Sequence, residues 1–461
     1  MTEDQLRELL LRGLDGIRRW ESAWRPFEQH PSLTLESNTA RDAIDELVAR
    51  LADNYPFFHP DYAGQMLRPP HPIAWLAYAL AARINPNNHA LDGGPATAEL
   101  ERECIGQLAA MFGLESPFLG HLTTSGTAAN LEALWVASRL QPGKAIVFSQ
   151  EAHYTHKRVC ELLRVRSIEL PADENGKLTC AALDAAGAQA DIGTVVVTAG
   201  TTAAGAVDPI DEIVEFASSN HWRVHADAAY GGFFATIADV ASAGMAAAPW
   251  HALARCDSIV VDPHKHGLQP YGCGAVLFAD PNVGTLYKHD SPYTYFTSKD
   301  LHLGEISLEC SRPGAAAAAL WTTLRCFSLD RHGLGASLLA SRHAALIAWN
   351  LMKESPTLTP VIAPDLDIIT VAPLGRGETV RVSVVSERSE KIFQSLQREP
   401  TPLYVALWRV PRAFGELVLP ELEWDEEHCT VLRSVLMKPE HEGSALELIQ
   451  RLAGWPALLP A

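Results

Sequence analysis

The chain has 461 residues, of which 47% are apolar and 20% are charged. This composition is ordinary for a globular protein and excludes collagen-like, coiled-coil and wholly disordered chains. Acidic residues outnumber basic residues by 55 to 37, which gives a net charge of −18. A surface this acidic repels the phosphates of nucleic acids and of anionic membranes, so we expect neither of them as a partner.

The eight cysteines include no C-x-x-C pair, so the sequence favours neither a zinc site nor a disulfide framework, and we expect no metal. Reduced, mostly buried thiols are typical of a cytoplasmic protein. Charged residues interrupt the N-terminal stretch MTEDQLRELLLRGLDGIRRWESAW, which argues against a signal peptide. No run approaches the roughly 18 apolar residues of a membrane span. We therefore expect a soluble protein of the cytoplasm.

Residues 1 to about 55 show the spacing of amphipathic helices, with Leu6, Leu9 and Leu10 on one face and Leu47 and Leu51 on another. Such a stripe needs a partner, which is either the rest of the chain or a second subunit. The residues that follow, 55–95, mix Pro, Gly, Asn, His and aromatic side chains, which is typical of loops that line sites.

From Thr97 to about residue 280, helical patterns alternate with short apolar runs. These runs predict strands at 145–149, 194–198, 222–228, 258–262 and 275–279. Because they lack polar alternation, they predict a largely parallel sheet covered on both faces. A helix about 336–353 is expected to lead into a C-terminal α+β layer, whose predicted strands are IITVAP, ETVRVSVVS, LYVALWRV and TVLRSVLMKP.

Two segments with possible chemistry lie at the start of this alternation. Ser125, Gly126 and Thr127 lie at a loop-to-helix junction, where small residues let backbone N–H groups approach a phosphate. The alternative is an ordinary helix cap. His153 follows the strand at 145–149, at an edge where open α/β sheets bind ligands. Its imidazole could stack on a planar cofactor, and the alternative is a surface histidine.

Two further segments follow strands. Asp227 ends the run at 222–228, and a buried carboxylate there needs a cationic partner such as a protonated pyridine nitrogen. The alternative is an aspartate that caps the next turn. Lys265 follows the run at 258–262, where a lysine amine could condense with an aldehyde.

In this order, the segments TTSGTAANLEAL, EAHYTHK, HADAAYGG and DPHKHGLQPYGCGAVLF resemble the group II pyridoxal-phosphate-dependent decarboxylases. That family includes aromatic-amino-acid, tyrosine, glutamate and cysteine-sulfinate decarboxylases. The resemblance runs from about residue 55 to 330. It implies the aspartate-aminotransferase-like fold type I, with a mostly parallel sheet, and a homodimer that uses pyridoxal 5′-phosphate. The implied domains are an N-terminal helical dimerisation segment (1–60), a large cofactor-binding domain (61–335) and a small α+β domain (336–461).

The resemblance also implies cofactor contacts. Lys265 would attach the aldehyde, Asp227 would pair with the pyridine nitrogen, and His153 would stack on the ring. The remaining expected contacts are to the phosphate from Ser125, Gly126 and Thr127 with His264 beside them, to the ring 3-oxygen from Thr201, to the back of the ring from Ala229, and to the partner's phosphate from Gly314.

Proton donation and substrate binding are less specific in the sequence. The resemblance suggests Tyr293 or Tyr295, in a lid loop at 291–307, or Tyr271 as the proton donor, and a packed aromatic residue is the alternative for each. The residues expected to bind substrate are His89, Asn88 and Asp92. Arg433 either meets a carboxylate or is structural.

The expected reaction is decarboxylation of an L-amino acid to its amine and CO2, with an aromatic substrate such as tyrosine favoured. One alternative is an acidic substrate, glutamate or aspartate. Another is carbon–carbon cleavage of the sphingosine-phosphate-lyase type, and a third is a cofactor-binding scaffold without activity. His266 and Gly267 replace the Trp-Leu that follows the lysine in animal aromatic decarboxylases, which weakens the transfer of substrate identity.

Overall fold

The computed structural model describes residues 1–89, 93–287 and 306–458. The strands are β1 (Leu119–Thr123), β2 (Ala145–Ser149), β3 (Ser167–Leu170), β4 (Ile192–Thr198), β5 (Arg223–Asp227), β6 (Ser258–Val261), β7 (Gly274–Phe278), β8 (Thr359–Pro360), β9 (Ile368–Ala372), β10 (Ala406–Pro411) and β11 (His428–Val435).

The α-helices are α1 (Glu3–Glu21), α2 (Ser37–Leu51), α3 (Pro72–Ile84), α4 (Pro95–Met111), α5 (Gly126–Leu140), α6 (Thr155–Leu163), α7 (Cys180–Gly187), α8 (Ile210–Ser219), α9 (Ala248–Ala252), α10 (Gly284–Tyr287), α11 (Gly314–Cys326), α12 (Leu334–Glu354), α13 (Val382–Leu396), α14 (Arg412–Val418), α15 (His441–Ala453) and α16 (Trp455–Leu458).

A seven-stranded sheet forms the centre of the molecule, in the order β1-β7-β6-β5-β4-β2-β3. Strand β7 is antiparallel to both neighbours, and the other adjacent pairs are parallel. Strands β2, β4, β6 and β7 are buried at every residue because helices cover both faces. The predicted α/β fold with a mostly parallel sheet is confirmed.

The direction of the strands determines where a site can form. Because β7 is reversed between β1 and β6, β1 runs in the same direction as the parallel strands. The carboxyl ends of β1, β2, β4, β5 and β6 therefore lie along one edge of the sheet. Segments that the sequence separates by up to about 140 residues leave the sheet side by side there.

The C-terminal part contains a four-stranded antiparallel sheet in the order β10-β11-β9-β8. Helix α12 contacts both this layer and the 3₁₀ segment Gly232–Ile237 of the large part, as expected for a connecting helix. The predicted strand ETVRVSVVS is wrong, because Val382 begins helix α13. Its buried residues recur at helical spacing, Val382, Val385, Ser386, Ser389, Ile392 and Leu396, so packing on one face outweighs the β-propensity of valine.

Helices α1 and α2 at the N-terminus are amphipathic as predicted, yet neither contains a buried residue. Helix α1 touches α3, and Gly13 lies directly against the side chain of Leu80. Most of the apolar surface of both helices therefore has no partner among the residues that the structure describes. The division of the chain at residues 60 and 335 remains a prediction. No helix of the described ranges has the length and apolarity needed to cross a membrane.

Candidate active site

A cavity of ≈ 230 Å³ opens at the carboxyl edge of the large sheet, and all four predicted segments contribute to its wall. The lining residues are Ser125, Gly126, Thr127, Asn130, His153, Tyr154, Thr155, Thr198, Gly200, Thr202, Asp227, Ala229, Tyr230, Asp262, His264 and Lys265. The topology therefore brings together side chains that the sequence places on five different strand ends.

The first wall is the N-terminus of α5. Ser125 caps this helix by accepting a hydrogen bond from the N–H of Ala128 at 3.2 Å, so the ordinary capping role is present. A side chain at Gly126 would lie 2.5 Å from Oδ2 of Asp262, so only glycine fits. The first N–H groups of a 15-residue helix point out of its end, which makes this wall suited to an anion.

Lys265 forms the second wall, in the segment after β6. Its Nζ lies 3.2 Å from Oδ2 of Asp262, and its side chain remains 22% exposed. His264 donates from Nδ1 to the carbonyl of Cys273 at 2.7 Å, and burial lowers the pKa of its imidazole. Oδ1 of Asp262 is buried and has no hydrogen-bond partner among the described residues. The lysine amine is thus held by a carboxylate at the cavity wall.

Asp227 forms the third wall, at the end of β5, and is 5% exposed. Its Oδ1 accepts from the N–H of Ala229 at 3.1 Å, which caps the following turn. Its Oδ2 lies 2.9 Å from Nε2 of His156. Burial opposes ionisation, but the hydrogen bond from His156 and the positive charge of Lys265 outweigh it and hold the pKa of Asp227 well below its usual range. The cavity therefore contains a buried anion.

His153 lies in the loop after β2 and is half-buried. Its Nδ1 accepts from the N–H of Thr155 at 3.2 Å, which leaves the ring proton on Nε2, and burial lowers the pKa of the imidazole. The ring lies 4.2 Å from that of Tyr154 between centroids. A flat neutral ring at this place suits stacking on a planar molecule.

Two predicted residues lie close to the cavity without lining it. The hydroxyl of Thr201 accepts from the N–H of Ala206 at 3.0 Å, and Thr202 lines the cavity. The hydroxyl of Tyr271 donates to the carbonyl of Met66 at 3.3 Å, and its exposed ring packs on His264 with centroids 4.8 Å apart. The structure therefore does not bring either hydroxyl to the wall.

Three further predicted residues, Asn88, His89 and Gly314, do not line this cavity. Asn88 is buried, and its amide binds Glu101 at 2.6 Å and Thr97 at 2.6 Å. His89 adjoins it, and Gly314 begins α11 with its N–H bound to the carbonyl of Pro86 at 2.9 Å. The other three predicted residues, Asp92, Tyr293 and Tyr295, lie outside the described residues.

The sequence did not predict several residues that the structure places at the site or in direct contact with it, among them the polar residues Asn130, His156, Thr202 and Asp262. Two of them carried a spacing signal. Asn130 comes four residues after Gly126 on α5, and His156 comes three residues after His153, so each lies at a spacing that can return to the same side of the chain. Asp262 lies within the lysine segment, but the sequence alone does not indicate a role for it.

The residues present fit pyridoxal phosphate. The helix N-terminus suits its phosphate, and the ionised Asp227 suits a protonated ring nitrogen. Lys265 presents an amine to the same cavity, and Ala229 leaves room for a flat ring. The phosphate, the ring nitrogen, the aldehyde and the flat ring of the cofactor therefore each have a matching group in the wall.

A family model described as the pyridoxal-dependent decarboxylase conserved domain matches residues 58–345. The chain is similar to L-tyrosine decarboxylase from Enterococcus faecium, with 24% identity covering 94% of this chain and 92% of that protein. It is also similar to a probable L-tyrosine/L-aspartate decarboxylase from Methanothermobacter thermautotrophicus, with 30% identity covering 57% of this chain and 70% of that protein.

Two solved structures share the fold. Mouse CSAD in apo form has a TM-score of 0.75 and 18% identity, and the match covers 98% of this chain and 92% of that one. Oryza sativa TDC with PLP and tryptamine has a TM-score of 0.75 and 18% identity, covering 98% of each chain. Since the family match spans more than half of the sequence, the chain belongs to the pyridoxal-dependent decarboxylase family and is a pyridoxal-phosphate-dependent amino-acid decarboxylase.

Proposed function

We propose that this enzyme removes the α-carboxylate of an aromatic L-amino acid, tyrosine or a close relative, as CO2 and releases the amine. The observation that supports this most directly is the meeting of Lys265, Asp227 and His153 around one cavity. The name of the Enterococcus faecium relative, L-tyrosine decarboxylase, supports the aromatic substrate.

The three residues have separate proposed roles. Pyridoxal phosphate, when bound, supplies an electron-poor ring that accepts the electron pair of the bond between the α-carbon and its carboxylate. Nζ of Lys265 is the nucleophile that holds the aldehyde. Asp227 keeps a proton on the ring nitrogen, and the ring of His153 covers one face of the cofactor and excludes water from it.

We assign the phosphate to the N-terminus of α5, at Ser125, Gly126 and Thr127, with His264 beside it. The N–H groups of the first helical turn donate to phosphate oxygens, and the helix dipole favours the negative charge. The hydroxyl of Ser125 already accepts from Ala128, so its own proton is free to be donated to the anion.

A second cavity, of ≈ 320 Å³, adjoins the first and shares His153, Tyr154 and Thr202 with it. We propose that it receives the substrate side chain. Leu407 and Trp408 of the small sheet line it, together with Glu151, whose pKa is raised to about 6 by burial. Apolar walls and a carboxyl group suit a phenol better than a second carboxylate.

Arg433 also lines the second cavity, but its guanidinium bonds the carbonyls of Ala203 at 2.8 Å, Thr202 at 2.6 Å and Gly64 at 3.3 Å. These contacts support the structural role for Arg433. With this guanidinium engaged, the described wall of the cavity offers no free arginine to pair with a glutamate or aspartate side chain, which counts against an acidic substrate.

The proposal is tested by measuring CO2 release from each of the twenty amino acids. We expect the highest kcat/KM for tyrosine or another aromatic amino acid. Glutamate or aspartate as the best substrate would contradict the assignment of the second cavity while leaving the decarboxylase activity intact.

After CO2 has left, the α-carbon takes up a proton, and we propose that a tyrosine donates it. Tyr271 donates to a backbone carbonyl and does not line the cavity, which favours Tyr293 or Tyr295 over it. We propose that these two tyrosines, together with His89, Asp92 and Gly314, act on the site of a partner subunit. Asn88, whose amide is engaged by Glu101 and Thr97, would hold its segment in place.

We also propose that the enzyme is a homodimer of the cytoplasm. The exposed apolar faces of α1 and α2 support the dimer, because a second copy would bury them. The eight free thiols, most of them buried, support a reducing compartment.

A further inference from the structure

A network of buried hydrogen bonds leads to the carboxylate of Asp227. Ser258 Oγ lies 2.8 Å from Nδ1 of His225, and Nε2 of His225 lies 2.7 Å from Oδ1 of Asn130. Nδ2 of Asn130 then lies 3.4 Å from Oδ2 of Asp227. His156 reaches the same oxygen at 2.9 Å from the other side. All of these residues are buried, so the network is shielded from bulk water.

The chemistry of the groups determines where the protons lie. An ionised carboxylate only accepts, so Nε2 of His156 must carry a proton. The amide of Asn130 turns its NH₂ group to Asp227 and its oxygen to His225, so Nε2 of His225 donates. Nδ1 of His225 then accepts from the hydroxyl of Ser258. Burial lowers the pKa of His225 to about 3, in agreement with this neutral ring.

These donors constrain the carboxylate. Two of them meet Oδ2 of Asp227, and the N–H of Ala229 meets Oδ1, so rotation of the carboxylate would break at least one bond. The contact with His156 is the shortest of the three. A charge-assisted hydrogen bond of this kind is among the stronger ones in proteins, and its loss leaves a buried anion poorly stabilised.

His156 also links the carboxylate to the opposite face of the cavity. It lies one helical turn after His153, and its N–H donates to the carbonyl of His153 at 3.1 Å. The turn that leads from the loop into α6 therefore holds both the ring proposed to cover the cofactor and the ring that contacts Asp227. A displacement of this turn would move both.

We propose that His156 is a positioning residue that fixes the carboxylate of Asp227 as an anion directed at the cofactor ring nitrogen, with Asn130 as a second donor. The inference rests on the proposed role of Asp227 in holding a proton on that nitrogen. It assigns to this chain a second histidine with a function in catalysis, acting through Asp227 rather than on the substrate.

The test compares His156→Gln with His156→Asn in the enzyme loaded with pyridoxal phosphate that carries ¹⁵N at the ring nitrogen. The amide of Gln reaches the position of Nε2, whereas that of Asn is too short. We expect the ¹⁵N chemical shift of the Asn variant to move towards that of an unprotonated pyridine, with kcat about 10-fold lower. The Gln variant should keep a shift and a kcat close to those of the wild type.

Phe148→Leu is the matched control, since Phe148 packs on His156 with ring centroids 5.8 Å apart but has no bond to Asp227. Its ¹⁵N shift should be unchanged. If His156→Asn does not fold, His156→Phe keeps the ring shape and takes its place. A wild-type shift and kcat in the folded Asn or Phe variant would overturn the inference.

Asp227→Ala separates this inference from the proposed function. We expect it to lose the protonated-nitrogen signal and at least about 10²-fold in kcat. An unchanged signal in Asp227→Ala would refute the role of Asp227 itself. If the ¹⁵N signal changes in Asp227→Ala but stays unchanged in His156→Asn, only the role of His156 would be refuted.

Discussion

Lys265 reaches the cavity from the segment after β6, and its side chain is partly exposed there. We predict that borohydride treatment of the loaded enzyme attaches the cofactor permanently to Lys265, because an amine placed beside an aldehyde condenses with it. Peptide mass spectrometry would locate the label. Lys265→Ala should carry no label and should lose the yellow absorbance of the bound cofactor.

Lys157 serves as the control for this experiment. It is an exposed lysine on α6 that pairs with Glu169 at 2.7 Å, so Lys157→Ala should keep the label on Lys265. A reducible label on any other lysine of the Lys265→Ala variant would contradict the assignment.

At the level of single residues, the sequence predicted those groups that directly follow an apolar run. Lys265, Asp227 and His153 each leave a strand at its carboxyl end, and these ends meet at one edge. The sequence did not predict partners that only the fold brings together. His156 binds Asp227 across 71 residues, and the amide of Asn88 is occupied by Glu101, 13 residues away. Such pairings depend on tertiary packing, which no local pattern contains.

At the level of elements, short apolar runs predicted the five inner strands of the large sheet to within about two residues, whereas the edge strand β3 had no predicted counterpart. Strand β1 was missed because its sequence, LGHLT, contains Gly and His and has no apolar run. Helix α13 was predicted as a strand because of its valines. There the helical spacing of the buried residues was the better guide, since burial of one face outweighs weak intrinsic propensities.

Two adjacent valines test this element. Val385 is fully buried on α13, whereas Val384 is only partly buried. We predict that Val385→Ala lowers the free energy of unfolding by about 2 kcal/mol, because two buried methyl groups are lost. Val384→Ala should be nearly neutral, since alanine favours the helix. Urea denaturation measures both, and equal losses would contradict the packing of this face.

At the level of the whole molecule, α2 shows an apolar stripe that no described part of the chain covers. Ile44, Leu47, Val48 and Leu51 follow helical spacing and are 49–61% exposed. We predict that Leu47→Glu weakens the dimer by on the order of 10²-fold, because an unpaired charge would be buried in the interface. Light scattering coupled to size-exclusion chromatography measures this change, and activity should fall as the dimer dissociates.

Leu446 on α15 provides the matched control, since it is 50% exposed and lies outside the N-terminal helices. Leu446→Glu should leave the dimer intact. A wild-type enzyme that is fully active as a monomer would refute the proposed assembly.

The buried imidazole of His441 makes stability depend on pH. Its Nε2 donates to the carbonyl of Pro60 at 2.9 Å, its Nδ1 accepts from the N–H of Lys438 at 3.2 Å, and burial lowers its pKa to about 4. An unfolded histidine titrates near 6.5, so the unfolded chain binds more protons in this window. We predict that this group's contribution to stability is complete above about pH 6.5. It is lost as the pH falls towards 4, by up to about 3 kcal/mol.

Urea denaturation at a series of pH values checks this prediction. His441→Gln keeps a donor for the carbonyl of Pro60 but does not titrate, so its stability should fall less steeply below pH 6.5. A variant curve parallel to that of the wild type would show that other groups cause the loss.

The place of β7 in the large sheet has a consequence for how the enzyme matures. β7 is the last strand of that sheet to leave the ribosome, yet it lies between β1 and β6, where Thr123 pairs with Gly274 and Val261 with Ala275. Strand β1, which leads into the N-terminus of α5, joins the strand before the lysine segment only through β7. Closing the long loop between β1 and β7 is slow compared with the pairing of strands that are close in sequence. We therefore expect that a nascent chain shorter than about 280 residues cannot retain the cofactor. On this view the cofactor stabilises the finished domain and does not guide its folding.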